Sequence, residues 1–349
     1  MWQQPTYVLV TGATGFIGAH VVDQLLSRGI KVRGATRSLA KGEAMIRARP
    51  QYAGQLDFVQ IADFDAIAGE VASTMFDDAV KGVDGIIHTA SPLTYTTTNN
   101  ETELILPAIA GVRAILLAAA AQSPPTVRRI VLTSSFASVM DANRAAPPYF
   151  TYTAADWNPL TYAEAAAPTT SAVIAYRGSK KFAELAAWDF MRERQGKVTF
   201  DLATLCPPMT FGPVVHPVEH VGKLNESNAM LWRVASGESP LPVARVPFWV
   251  DVRDVAQAHV EALVREEAGG KRFLPAAPER FSYGIAAGII KEGFGWAKEK
   301  VVVEQQVVDE SHGVDGEAAA RELGLRYRSF RETVLELVAQ AAGMEGAGV

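Results

Sequence analysis

The chain has 349 residues, of which 48% are hydrophobic and 20% charged, with a formal net charge of -5. That length supports a large core, that balance excludes a disordered chain, and the charge gives no general electrostatic reason to bind nucleic acid or an anionic membrane. The lone cysteine, Cys206, excludes an internal disulfide or a cysteine metal cluster; no metal is expected, and a reducing compartment fits.

In chain order, residues 1–6 are short and polar and read as no signal peptide. Tyr7–Thr11, Lys31–Thr36, 56–61, 85–89, Arg129–Thr133 and 199–205 read as strands. Helical patterns lie between them over 15–28, 40–49, 71–81, 103–122 and 174–194. The alanine-rich stretch at 108–121 comes nearest to a membrane span, but Pro107 and Arg113 interrupt it, and a cytosolic protein without a membrane partner is expected. Strands alternating with helices predict an α/β fold, a doubly wound parallel sheet of Rossmann type. The strands are apolar throughout, as burial on both faces requires.

After Cys206 the rhythm is lost. Pro207, Pro208, Pro213, Pro217, Pro240, Pro242 and Pro247 break up the chain. The expected organisation is a nucleotide-binding domain over 1–205 and a smaller substrate-binding portion over 206–349. The boundary is soft, with elements around 249–263 read as candidates to return to the first domain. The segment 140–170 reads as an active-site loop.

The strongest local motif is Val8-Leu-Val-Thr-Gly12-Ala-Thr-Gly15-Phe-Ile-Gly18, between a strand and an amphipathic helix. Gly12 permits the tight turn, Gly15 lets backbone approach a pyrophosphate, and Gly18 lets helix and strand pack closely. The helix N-terminus offers unpaired N–H groups and its positive dipole end to phosphate. Gly12, Thr14, Gly15, Phe16, Ile17 and Gly18 are therefore expected at the cofactor. An NAD site would carry an acidic residue about 20 positions on. Thr36-Arg37-Ser38 has none, and Lys41 follows one helical turn later. Arg37 and Lys41 suit a 2′-phosphate, so NADPH/NADP+ is the expected cofactor. Asp63 after the third strand reads as a residue for the adenine edge or as a surface turn. Thr89, Ala90 and Ser91 end the fourth strand, where small residues let backbone approach the cofactor. His88 before them reads as structural.

Three pieces carry the chemistry. Leu132-Thr133-Ser134-Ser135 ends the fifth strand and puts a hydroxyl at the carboxyl edge, where open α/β sheets bind ligands. Tyr176 and Lys180 stand four apart at the start of a helix, on one face. A neighbouring ammonium favours phenolate and lowers a tyrosine pKa that is ordinarily about 10. Tyr176 can then give a proton to a developing alkoxide while Ser135 holds the same oxygen, and Lys180 is long enough to reach the nicotinamide ribose.

These segments resemble the extended short-chain dehydrogenase/reductases. Within them the similarity is to the dihydroflavonol reductase-like branch, which also holds yeast and fungal methylglyoxal and ketone reductases. The resemblance rests on Val10-Thr-Gly-Ala-Thr-Gly-Phe-Ile-Gly18, His88-Thr-Ala-Ser-Pro92, Leu132-Thr-Ser-Ser135, Ala175-Tyr-Arg-Gly-Ser-Lys-Lys-Phe-Ala-Glu184 and Val250-Asp-Val-Arg-Asp-Val-Ala256, and spans about residues 6 to 340. It implies Ser135, Tyr176 and Lys180 as a catalytic triad, Arg37 and Lys41 at the 2′-phosphate, Thr133 and Pro207 beside the cofactor, and a carbonyl reductase acting with NADPH. Family members usually carry Asn where Cys206 stands and an apolar or aromatic residue where Met209 stands, so substrate choice is where this chain departs. Leu93, Phe136, Met209 and Val214 are the expected pocket lining, with Tyr152 or Trp232 as further candidates. Such an apolar pocket suits a small hydrophobic aldehyde or ketone. A monomer or homodimer is expected. The rival readings are a nucleotide-sugar epimerase or dehydratase, a cinnamoyl-CoA reductase, and a regulator that binds NADP without turning it over.

Overall fold

The computed structural model describes residues 2–62, 74–91, 97–144 and 149–346. The first part runs β1 (Tyr7–Thr11), α1 (Phe16–Ser27), β2 (Lys31–Thr36), α2 (Leu39–Arg47), β3 (Leu56–Gln60), β4 (Gly85–His88), α3 (Leu106–Ala120) and β5 (Arg129–Thr133). Next come β6 (Phe150–Tyr152), α4 (Tyr162–Ala166), α5 (Ala172–Glu193), β7 (Asp201–Leu205), β8 (Met209–Phe211), α6 (Glu226–Ala235) and β9 (Trp249–Asp251). The last part holds α7 (Val252–Val264), β10 (Arg272–Phe273), α8 (Tyr283–Gly293), α9 (Ala297–Lys300), β11 (His312–Val314), α10 (Gly316–Leu323) and α11 (Phe330–Met344).

Seven parallel strands form the main sheet in the order β10-β7-β5-β4-β1-β2-β3. Apolar alternation decides which face each residue covers. Val8 and Val10 bury against Val21, Leu25, Val260 and Leu263 on the face carrying α1 and α7. Leu9, between them, joins Ile86, Ile115, Ala187 and Phe190 on the face carrying α3 and α5. Both sides of the central strands are thus dry, which explains their lack of polar alternation.

The six expected strands are present, shortened by one or two residues at some ends. β10 was not anticipated; two residues pairing with Thr204 and Leu205 carry no periodicity to read. Of the expected helix at 71–81, the described part consists almost entirely of turns. Residues 101–120 form a continuous helix that by length and composition passes as a membrane span, contrary to expectation. Most of it is buried, and it packs along α5, so its apolar character belongs to the core.

Within 206–349, residues Val252–Phe273 lie with the sheet: α7 packs on α1, and β10 extends the edge beyond β7. α10 joins them, its Ala319 and Leu323 buried in the same core as Val260 and Leu263, and β11 pairs with β6. Much of the rest builds a separate aromatic core, where the Trp249 and Phe330 rings stand 4.8 Å apart and those of Phe211 and Phe281 5.1 Å apart. At the amino edge of the sheet Arg129, 1% exposed, grips Asp201 through Nε (2.6 Å) and Nη2 (2.8 Å). Its other N–H groups go to the carbonyls of Ala262, Arg265 and Glu266, tying α7 to β5.

Candidate active site

The strand order reverses between β1 and β4, and ligands bind in such sheets at the carboxyl ends beside that reversal. A cleft of about 1040 Å³ opens there. Gly12 turns the chain out of β1 with φ +66, and a Cβ on it would stand 2.7 Å from Thr89 Oγ1. A Cβ on Gly18 would stand 2.2 Å from the Gly12 carbonyl, so only glycine lets α1 approach β1 this closely. Gly15 caps α1 without a side chain, and the first turn holds no acidic residue. The positive end of the helix thus remains available to an anion. Gly12, Thr14, Gly15, Phe16, Ile17 and Gly18 all line the cleft.

Hydrogen bonds brace the far wall. Thr89 Oγ1 donates to the Thr11 carbonyl at 2.7 Å, and the Ala90 N–H donates to Thr11 Oγ1 at 3.1 Å. His88 shares a 2.9 Å bond with Thr11 Oγ1, packed edge-on to Phe76. Burial, reinforced by the charge on Lys180, pushes its imidazole down to about 3, so it is neutral and structural. At the end of β2, Thr36 is buried and closes a turn on Ser38. Arg37 and Lys41 are exposed and line the cleft. The glycine cradle, the helix end and these two cations fit a phosphorylated dinucleotide. Asp63 and Leu93 lie outside the described residues.

At the other end of the cleft, β5 delivers three hydroxyls to three different places. His259 Nδ1 donates to the Val255 carbonyl at 2.8 Å, so its Nε2 accepts from Thr133 Oγ1 at 2.6 Å. Burial pushes His259 down to about 4, consistent with that neutral ring. Thr133 lines the cleft, but its hydroxyl is committed to this bond. Ser134 turns inward, donating to Glu184 Oε2 at 2.6 Å. Ser135 lines the cleft with an extended backbone, its Oγ accepting the Ala137 N–H at 3.1 Å.

From α5, Tyr176 and Lys180 enter the same cleft, the Lys180 ammonium 5.6 Å from the centre of the Tyr176 ring. Lys180 Nζ donates to Ser91 Oγ at 2.7 Å, joining α5 to the β4 exit. Burial pulls Lys180 down to about 8. Ala90, Ser91 and Pro207 complete the expected lining.

Of the expected substrate contacts, Phe136 and Met209 line the cleft. Phe136 is otherwise buried, packed edge-on to Tyr152 and Phe248. Val214 does not line it: the residue sits in the C-terminal core, its N–H and carbonyl both bonded to Gln340. Tyr152 and Trp232 are likewise core residues, the latter facing Trp296. Sequence reading missed Val173, Met230, Val246, Phe281 and Arg245. Most of these come from the C-terminal portion, far in sequence from the glycine turn and the Tyr176–Lys180 helix. Glu184, the last residue of the family segment Ala175–Glu184, carries no sequence signal of its own.

The reversed sheet, the glycine turn and the Tyr–Lys face together define an extended short-chain dehydrogenase/reductase. Residues 8–274 match the family model described as "NAD dependent epimerase/dehydratase family", and the chain belongs to that family. It is 38% identical to an uncharacterized oxidoreductase of Schizosaccharomyces pombe, over 94% of this chain and 95% of that one. It is 32% identical to the NADPH-dependent methylglyoxal reductase GRE2 of Saccharomyces cerevisiae, over 97% and 99%. The crystal structure of yeast methylglyoxal/isovaleraldehyde reductase Gre2 complexed with NADPH matches with a TM-score of 0.87 at 31% identity, covering 98% of this chain and 100% of that one.

Proposed function

We propose that this protein reduces a small hydrophobic aldehyde or ketone to the alcohol at the expense of NADPH, with Tyr176 as proton donor. The observation that carries the reading is the Tyr176–Lys180 pair, its ammonium 5.6 Å from the phenol ring centre, in the cleft that also holds the glycine turn, Arg37 and Lys41. NADPH supplies the hydride when bound. The chain then has three tasks. Ser135 donates a hydrogen bond to the carbonyl oxygen and holds it polarised. Tyr176 delivers a proton to that oxygen as negative charge develops on it. Lys180 offsets the phenolate left behind.

The family description includes epimerases and dehydratases that keep NAD. Thr36 and Arg37, where a carboxylate would grip the ribose, favour the reductase reading. A panel of aldehydes and ketones with NADPH, followed by loss of its absorbance, tests the proposal. Consumption with at least one hydrophobic carbonyl is expected. Tight NADPH binding without consumption on any member would point instead to a regulator.

A further inference from the structure

Behind the cleft, one carboxylate collects a set of donors that the reaction itself does not use. Glu184 is buried on α5, one turn beyond Lys180 and two beyond Tyr176. Its Oε2 accepts from Ser134 Oγ at 2.6 Å and Ser138 Oγ at 2.8 Å. Its Oε1 accepts from Thr204 Oγ1 at 2.8 Å and from Arg272 Nε at 2.7 Å. Arg272 Nη2 closes the fork on Oε2 at 3.1 Å and also donates to Ser138 Oγ at 2.9 Å. Cys206 Sγ stands 3.5 Å away. Ser134 and Ser138 bracket Ser135, and the backbone between them is pinned again: Ser134 N–H to the Leu205 carbonyl at 2.7 Å, Phe136 N–H to the Pro207 carbonyl at 2.9 Å.

We propose that Glu184, held by Arg272, is a positioning residue that fixes the Ser135 hydroxyl relative to Tyr176 and Lys180 on its own helix. One carboxylate thereby couples α5 to the exits of β5 and β7 and to β10. Burial pushes the Glu184 carboxyl up, but Arg272 and the hydroxyls outweigh it and hold it below the usual range, so the ion pair persists across neutral pH. A buried pair of this kind is a poor source of net stability and a good source of geometry.

The inference rests on Ser135 holding the substrate oxygen, and a double-mutant cycle separates the two. Glu184→Gln, Ser135→Ala and the double variant are compared by kcat, KM and NADPH affinity. Glu184→Gln is expected to lower kcat about 10-fold or more with NADPH affinity within about two-fold, and to cost almost nothing further in the Ser135→Ala background. Independent, multiplicative losses, or an unchanged kcat in Glu184→Gln, overturn the positioning role while leaving Ser135 in place. Near-normal turnover in Ser135→Ala alone overturns the reading of Ser135 and the inference with it. Should Glu184→Gln not fold, Ser134→Ala removes one handle and is read through the same cycle.

Discussion

Lys180 owes its chemistry to its surroundings. Burial brings its ammonium down to about 8 from an ordinary value near 10.5, so the positive charge beside Tyr176 is present at neutral pH and disappears as pH rises through about 8. Reductive kcat/KM is accordingly expected to fall above roughly pH 8, where a lysine of ordinary basicity would hold the rate to about pH 10; a pH–rate profile reads this directly. Tyr176→Phe leaves the ring in place and removes the proton. Turnover should drop about 100-fold or more with NADPH affinity intact, by steady-state kinetics and fluorescence titration. Arg37→Asp replaces a guanidinium that lines the cleft by a carboxylate. It is expected to weaken NADPH about 10- to 100-fold and NADH little, and equal losses for both would refute the 2′-phosphate assignment. At this scale the sequence was informative wherever spacing alone fixes geometry: Tyr176 and Lys180 at helical spacing, and the glycines three apart. Val214 was misplaced because apolarity is common to pocket and core. Glu184 was overlooked because a buried carboxylate is visible only once Arg272, 88 residues away, is seen against it.

Among the elements, the β1–α1 unit and the β5–β7–α7 junction are the most constrained. The junction depends on Arg129, whose guanidinium serves Asp201 and three carbonyls at once. Arg129→Met removes the guanidinium bonds to Asp201 and the three carbonyls, of which Arg265 and Glu266 keep a backbone N–H donor, and is expected to cost about 1–3 kcal/mol of stability, measured by denaturant unfolding, with kcat nearly unchanged because the site lies at the opposite edge of the sheet. The strands were legible because burial on both faces leaves continuous apolar runs bounded by turns. β10 was not, since two residues joining an edge have no pattern of their own. The elements between Met209 and Trp249 were equally opaque: their proline-broken sequence follows the shape of the cleft wall rather than any repeating geometry.

For the molecule as a whole, cofactor and fold are linked. A ligand at 100 times its dissociation constant adds about 2.7 kcal/mol to the folded state. For a chain of 349 residues that corresponds to a rise of about 4 °C in Tm. Thermal scans should show this with NADPH and a smaller rise with equimolar NADH. Equal shifts would argue against the two cations near β2.

The packing of α7 on α1 has a further consequence, for how the chain is made. The face of β1 and β2 that buries Val8, Val10 and Val32 is completed by Ala256, Val260 and Leu263. A ribosome moving at about 5–20 residues per second needs roughly 10–50 s to travel from the first of these segments to the last. Through that interval α1 alone covers the face, and the part awaiting α7 stays open to water and to neighbouring chains.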